Sequence, residues 1–215
     1  MTQLVRVQNF FLSSDGFGAG EGQTEERPFG HADPAAFASW AGATAHWPNR
    51  TEPGGTYGLD DYITRDYANN IGAEIMGRNK FGPQRGPWEN LDWQGWWGDE
   101  PPFHTPVFVL THHPRPSFTL GETTFHFLDA SPEEALAQAF AAADGKDVRI
   151  GGGVQTVRAF LDADLVDQMH VAVVPSVVLG RGERLWTSPD ELTDRFHLER
   201  IPSPSGVVHH FFWRR

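Results

Sequence analysis

Short apolar runs of strand length alternate along this chain with segments whose apolar residues recur at helical spacing, and that alternation limits the fold more than any other feature. Val5 to Leu12, Ala73 to Met76, Val107 to Thr111, Thr124 to Leu128, Asp147 to Ile150, Asp167 to Pro175, Phe196 to Ile201 and Val207 to Trp213 read as strands. Asp33-Pro34 opens a helix expected to reach about His46, with Asp as cap and Pro in the first turn. Leu59-Asp60-Asp61 opens another, which Gly72 would close as the residue after the last turn. Ser131-Pro132-Glu133-Glu134 is a capping box, and the helix behind it carries Leu136, Ala139, Phe140 and Ala143 on one face. Val154, Val157 and Leu161 mark one more helix. Strands alternating with helices predict a mainly parallel sheet covered on both faces, with an antiparallel strand pair at the C-terminal end. In 215 residues without an internal repeat or a separating linker, one α/β domain over residues 1–215 is expected.

Charge and composition remove several functions. The formal net charge is −11, which opposes general affinity for nucleic acid or an anionic membrane surface. An anionic ligand would therefore need a local cluster of Arg and Lys. There is no cysteine, so disulfides, thiolate metal sites and Cys nucleophiles are excluded together. The start, MTQLVRVQNFFLSSDG, lacks the basic first residues, long apolar region and small-residue cleavage site of a signal peptide. No stretch approaches the ~20 apolar residues of a membrane span, and the expected location is the cytoplasm. His112-His113 and His209-His210 are adjacent pairs. Neighbours on a strand point to opposite faces, so these histidines read as packing or surface residues and no metal is expected.

Two strand-to-helix turns could carry chemistry. In Ile75-Met76-Gly77-Arg78-Asn79-Lys80-Phe81, Gly77 would let a ligand approach the backbone while Arg78 and Lys80 supply charge. The same residues could form a solvated basic turn. In Val148-Arg149-Ile150-Gly151-Gly152-Gly153-Val154-Gln155-Thr156, three glycines between a buried strand and a helix suit a pyrophosphate cradle. An ordinary tight turn is the alternative, but three consecutive glycines are entropically costly and favour ligand approach. The spacing is not that of a Rossmann dinucleotide fingerprint. Two loops also stand out, residues 48–58 and residues 82–106. The second holds Trp88, Trp93, Trp96 and Trp97, whose rings need cover from the sheet, the substrate cleft or a second copy of the chain. A homodimer is the preferred partner state.

Ile75-Met76-Gly77-Arg78, Val109-Leu110-Thr111-His112, and Ile150-Gly151-Gly152-Gly153 with Phe160-Leu161 resemble, in order and spacing, the three cofactor segments of dihydrofolate reductases. Ser14-Asp15-Gly16, and Val174-Pro175 through Leu179-Gly180-Arg181-Gly182, look like the reductase domain of bacterial bifunctional riboflavin deaminase–reductases and their stand-alone relatives. The resemblance extends from Val5 to the C-terminus and covers residues 17–58 and 82–106 poorly. It implies a dihydrofolate-reductase-like α/β fold and NADPH as cofactor. Arg78, Asn79 and Lys80 would hold the adenosine 2′-phosphate, and Leu110, Thr111 and His112 the adenine side. Gly151, Gly152, Gly153, Val154, Gln155 and Thr156 would form the pyrophosphate turn, with a cis peptide at Gly151-Gly152.

The implied substrate is a small heterocycle, pterin- or folate-like or 5-amino-6-(5-phosphoribosylamino)uracil-like. Reducing a C=N or C=O bond requires a proton for the heteroatom as well as a hydride for carbon. Counted back from Met76, the folate-binding carboxylate of dihydrofolate reductases falls on Asp61, which could equally be a helix-start residue; Asp60 reads as a cap. Asp15 could reach the nicotinamide end or serve its turn. Tyr62-Ile63-Thr64-Arg65 departs from the Ser/Thr-rich, Ala-Arg helix start of riboflavin-pathway reductases, and the absence of cysteine excludes the deaminase zinc site. The competing expectation is a non-catalytic nucleotide-binding or assembly protein with the Trp-rich loop as its interface.

Overall fold

A computed structural model of the chain describes residues 2–48, 50 and 52–215. Residues 49 and 51 of the expected 48–58 loop lie outside the described residues. The chain divides into two compact units, one of residues 1–6 and 70–166 and one of residues 7–69 and 167–215.

The first unit contains the opening residues of β1 (Val5–Ser13), then β3 (Ile71–Gly77), α3 (Arg78–Phe81), β4 (Pro106–Leu110), β5 (Phe118–Leu120), β6 (Thr123–Leu128), α4 (Pro132–Ala142), β7 (Asp147–Gly152) and α5 (Val154–Asp162). Hydrogen bonds join its strands in the order β1-β7-β3-β4-β6-β5, and every pair is parallel except β5–β6. Nearly every residue of β3 and β7 is buried, whichever face it points to, as expected of a parallel sheet covered on both sides. α4 packs on β3, β4 and β7, and α5 packs on β7 and β3.

The Trp-rich loop supplies further cover. Phe81, Phe103, Val107, Phe125 and Phe127 form a buried cluster, against which Trp88, Trp93 and Trp97 pack. Trp97 stacks on Phe125, Trp88 meets Phe127 edge-on, and Trp93 donates its indole N–H to the Phe81 carbonyl at 3.0 Å. Trp96 lies edge-on to Trp93. Trp88, Trp93 and Trp97 are half-buried against this chain's own sheet, and the half-buried Trp96 rests on Trp93.

The second unit contains the rest of β1, then β2 (Phe17–Ala19), α1 (Pro34–Gly42), α2 (Leu59–Arg65), β8 (Gln168–Val174), β9 (Glu183–Arg184), β10 (Phe196–Pro202) and β11 (Val208–Arg214). Its strands follow the order β10-β11-β8-β1, with β10–β11 and β11–β8 antiparallel, so the C-terminal antiparallel pair is present. Phe37, Trp40, Ala41, Ala172, Val174 and Val207 form its core. Among the described residues, no helix is long and apolar enough to cross a membrane.

Several local expectations change. Asp33 caps α1, but that helix stops at Gly42 rather than near His46. Gly72 does not close α2. It lies inside β3, where a Cβ would come within 2.1 Å of the Ala143 carbonyl oxygen, and Asn70 takes the left-handed turn at φ +57°. Gly58 precedes α2 as its cap residue, and both Asp60 and Asp61 bond elsewhere, so neither carboxylate caps the helix. β2, β5 and β9 are strands of only two or three residues, too short to show a period in sequence.

Candidate functional site

In the first unit, the Gly77–Lys80 turn and the end of β4 enclose a cleft of about 300 Å³. Arg78, Asn79, Arg85 and Gly86 line one side, Leu110, Thr111 and His112 another. Two segments that resemble cofactor segments in sequence therefore meet at one cavity. β3 and β4 bring them together, since Gly77 and Leu110 are register partners.

The cleft is electropositive for a physical reason. The Arg78 guanidinium lies over the Trp88 ring, 3.2 Å from its centroid, and donates to Thr111 Oγ1 at 3.2 Å. Its Nε and Nη2 are buried and have no hydrogen-bond partner among the described residues, and the same holds for Nη1 of Arg115. Burial, with Arg115 and Arg85 nearby, pushes the Arg78 pKa down. Orphaned guanidinium nitrogens beside like charges are costly until an anion fills the gap. One carboxylate also lines the cleft, Asp129, paired with His112 at 3.0 Å. Arg85 and Arg115 were not singled out in the sequence, and Trp88 was noted only as a ring in need of cover; Arg85 and Trp88 lie in the poorly matched 82–106 loop, where no period marks them.

Lys80 is placed elsewhere. Its ammonium donates to the Gly151 carbonyl at 2.5 Å and lies 3.6 Å from Glu74. The three glycines also differ from one another. A Cβ on Gly151 would come within 2.0 Å of a Glu74 oxygen, whereas one on Gly153 would meet open space. Gly152 has φ +110°. The cis peptide is Gly152–Gly153, one bond later than expected, and Gly152 still pairs with Met76 at the end of β7. Gly77 has no room for a side chain because Thr156 Oγ1 would lie 2.3 Å from its Cβ. Val154 and Thr156 are buried and Gln155 is exposed at the start of α5.

In the second unit, the two candidate carboxylates sit in separate networks. Asp15 accepts from Ser13 Oγ at 2.6 Å and from the Leu179 and Gly180 amides at 3.1 and 2.7 Å. Burial raises its pKa, but these bonds outweigh that and hold it below the usual carboxylate range. Both oxygens serve the turn. Asp61 is buried and accepts from the His46 amide at 2.9 Å, with His46 Nδ1 2.9 and 3.0 Å from its two oxygens. Burial again raises the pKa and the His46 bonds lower it further, so Asp61 is ionised at neutral pH.

Asp60 begins a buried chain that the sequence did not reveal. His209 Nε2 lies 2.8 Å from Asp60, His170 Nε2 lies 2.9 Å from His209 Nδ1, and the Asn9 amide donates to His170 Nδ1 at 3.2 Å. With His209 neutral, the Asp60 carboxylate favours the proton on Nε2, which leaves Nδ1 to accept from His170 Nε2; Asn9 Oδ1 also lies 3.0 Å from His170 Nδ1. His209 and His170 share a face of the β8–β11 pair, diagonal to one another, so His209 and His210 point apart and both are buried, whereas His112 and His113 are exposed. Among the described residues no group of side chains could hold a metal ion.

These histidines predict acid lability. Burial pushes His170 well below its ordinary value, with the neighbouring histidines adding to the effect. Burial, then the Arg200 charge, lowers His210 from 6.5 to about 4. Above pH 6.5 both folded and unfolded states leave His210 neutral. Between 6.5 and 4 only the unfolded chain takes up the proton, so stability falls as pH falls through this window. Thermal melts at pH 7 and pH 4.5 should differ by many degrees, and His210→Phe should reduce that difference. Equal melting temperatures at the two pH values would refute the assignment. Asp15, Asp60 and Asp61 weaken the fold only below about pH 4.

Comparison with known proteins gives the architecture its relatives. A family model described as the RibD C-terminal domain matches residues 6–203. Among solved structures the chain is similar to a suspected riboflavin biosynthesis protein from Shewanella sp. PV-4, at 20% identity and TM-score 0.55, with 100% of this chain and 99% of that one covered. It is similar to a dihydrofolate reductase from Enterococcus faecalis complexed with NADP(H), at 13% identity and TM-score 0.51, covering 99% and 96%. A diaminohydroxyphosphoribosylaminopyrimidine deaminase/5-amino-6-(5-phosphoribosylamino)uracil reductase from Thermotoga maritima matches at 13% identity and TM-score 0.55, covering 100% of this chain but 57% of that one. At these identities the structural likeness is one of fold, dihydrofolate-reductase-like α/β. No curated protein matches the sequence.

Proposed function

The chain belongs to the RibD C-terminal domain family, and from that premise we propose that it is an NADPH-dependent reductase of a small heterocycle, pterin- or folate-like or 5-amino-6-(5-phosphoribosylamino)uracil-like. The family and its fold neighbours support a reductase-type function. The observation that carries the choice of cofactor is the cleft beside Arg78, where buried guanidinium nitrogens lack partners and Leu110 to His112 form the opposite wall. A phosphate monoester on a nucleoside fits that donor set, because a planar guanidinium fork binds two of its oxygens while the sugar and base lie along the wall. Arg78 and Asn79 would hold the 2′-phosphate, Leu110, Thr111 and His112 the adenosine, and the Gly152–Thr156 segment the pyrophosphate. NADPH, when bound, supplies a hydride.

The proton is a matter for this chain's own residues. Asp61 holds His46 Nδ1, so Nε2 of that half-exposed ring presents a lone pair when the ring is neutral and a proton only when it is an imidazolium. Asp15, with both oxygens engaged, is a poor proton source. That engagement favours the second reading, a nucleotide-binding protein without turnover, to the extent that it removes one of two proton routes. Loss of NADPH absorbance in the presence of a panel of pterins, dihydrofolate and aminouracils separates the two. Turnover of at least one heterocycle is expected. NADPH binding without consumption of NADPH on any of them would favour the second reading.

A further inference from the structure

Beneath the glycine turn lies a buried group of three charges. Glu74 on β3 and Arg149 on β7 are register partners, and Glu74 Oε2 accepts from Arg149 Nε at 2.8 Å and from its Nη2. Glu74 is 0% exposed and Arg149 2%. Gly151 follows Arg149 by two residues, so its Cα faces the same side of the strand, which is why a side chain there would strike Glu74. Lys80 reaches into this space from α3, with Nζ 3.6 Å from Glu74 Oε1 and 2.5 Å from the Gly151 carbonyl oxygen. Two cations face one carboxylate.

We propose that Lys80 is a positioning residue for anion binding at the glycine turn: it fixes the Gly151–Gly152 peptide and brings the second positive charge of this trio beneath it, so that the turn selects ligands carrying a pyrophosphate. The Gly151–Gly152 bond is trans, the cis bond being the next one. In a planar trans peptide, C=O and N–H point to opposite sides. Drawing the Gly151 oxygen towards Lys80 therefore turns the Gly152 N–H away from Lys80, where it can donate to a phosphate oxygen. The Lys80 charge acts on the same ligand through a region of low dielectric, where it is poorly screened. Glu74 and Arg149 neutralise each other, so removing Lys80 leaves no unpaired charge behind.

This inference rests on the NADPH reading above, and two probes separate the two. NADPH carries both the 2′-phosphate and the pyrophosphate, whereas adenosine 2′-monophosphate carries only the first. Titration calorimetry of Lys80→Met should show NADPH binding about tenfold weaker or more, with adenosine 2′-monophosphate binding unchanged within about twofold. Lys80→Gln keeps a donor for Gly151 without the charge and should fall between parent and Lys80→Met; it decides the matter if Lys80→Met fails to fold. NADPH affinity unchanged in the folded variants, or equal losses for the two probes, would overturn the proposal while leaving the cofactor assignment intact. If neither variant melts cooperatively, Lys80 is a folding residue and the proposal falls. If the unaltered protein binds neither probe, the NADPH reading fails and takes this proposal with it.

Discussion

Gly152→Val is expected to yield a folded protein that no longer binds NADPH. Gly152 has φ +110°, a region that residues with a Cβ rarely adopt, and β-branched valine least of all. Valine must therefore either accept strain of about 1–3 kcal/mol or shift the turn. Either outcome alters the peptide groups on both sides of it, which are the donors proposed for the pyrophosphate. The surrounding strand can absorb the change, because Gly152 is the last residue of β7 and its neighbour Gly153 has open space beside it. Thermal melts with and without NADPH test this directly. At a hundred times its dissociation constant, NADPH should stabilise the parent by about 2.7 kcal/mol. The variant should melt cooperatively at a somewhat lower temperature and show no NADPH-dependent rise. A folded variant binding NADPH as tightly as the parent would reduce the glycine run to a turn, and the cofactor assignment would then rest on Arg78 alone.

Arg78→Ala should weaken NADPH binding about ten- to a hundredfold and leave NADH binding nearly unchanged, because only NADPH carries the 2′-phosphate. Arg78 lines the cleft, two of its buried nitrogens have no protein partner, and its plane is held against the Trp88 ring and by Thr111 Oγ1. A preorganised fork loses little entropy on binding, so a charge-assisted contact here should contribute about 1.5–3 kcal/mol. Arg85 and Arg115 remain in the variant and cap the loss. The fold should tolerate the change well, since alanine removes a desolvated cation from beside two others. Equal losses for the two cofactors by titration calorimetry would move the 2′-phosphate away from this cleft.

Much of the fold was legible because it depends on local pattern. The long strands and helices announced themselves by period, and the caps of α1 and α4 by residue type: Asp33 accepts from the Ala35 amide and Ser131 forms its box with Glu134. The C-terminal antiparallel pair was likewise readable, because Pro202 to Gly206 is a turn between two apolar runs. What failed locally failed for want of period or for a long-range cause. Gly72 looked like a helix stop, yet it is glycine because the α4 end at Ala143 comes within contact distance of it.

The candidate site shows the same division more sharply. The sequence by itself determined that Arg78 and the three glycines stand at strand-to-helix turns, since both the strand signal and the glycine run are local. Only the tertiary structure decided what each does. Gly77 accommodates Thr156, Gly151 accommodates Glu74, Gly152 holds a left-handed conformation, and Gly153 alone leaves open space. Arg78 faces the cleft and Lys80, two residues on, turns inward to Gly151 and Glu74, because neighbours two apart on a helical turn do not share a face. The Asp60–His209–His170 chain was hidden for a related reason: its members are 149 and 39 residues apart. Local sequence reports the backbone a residue will adopt. The partner of a buried charge or ring is chosen by strand order and register, which place residues distant in sequence a few ångströms apart.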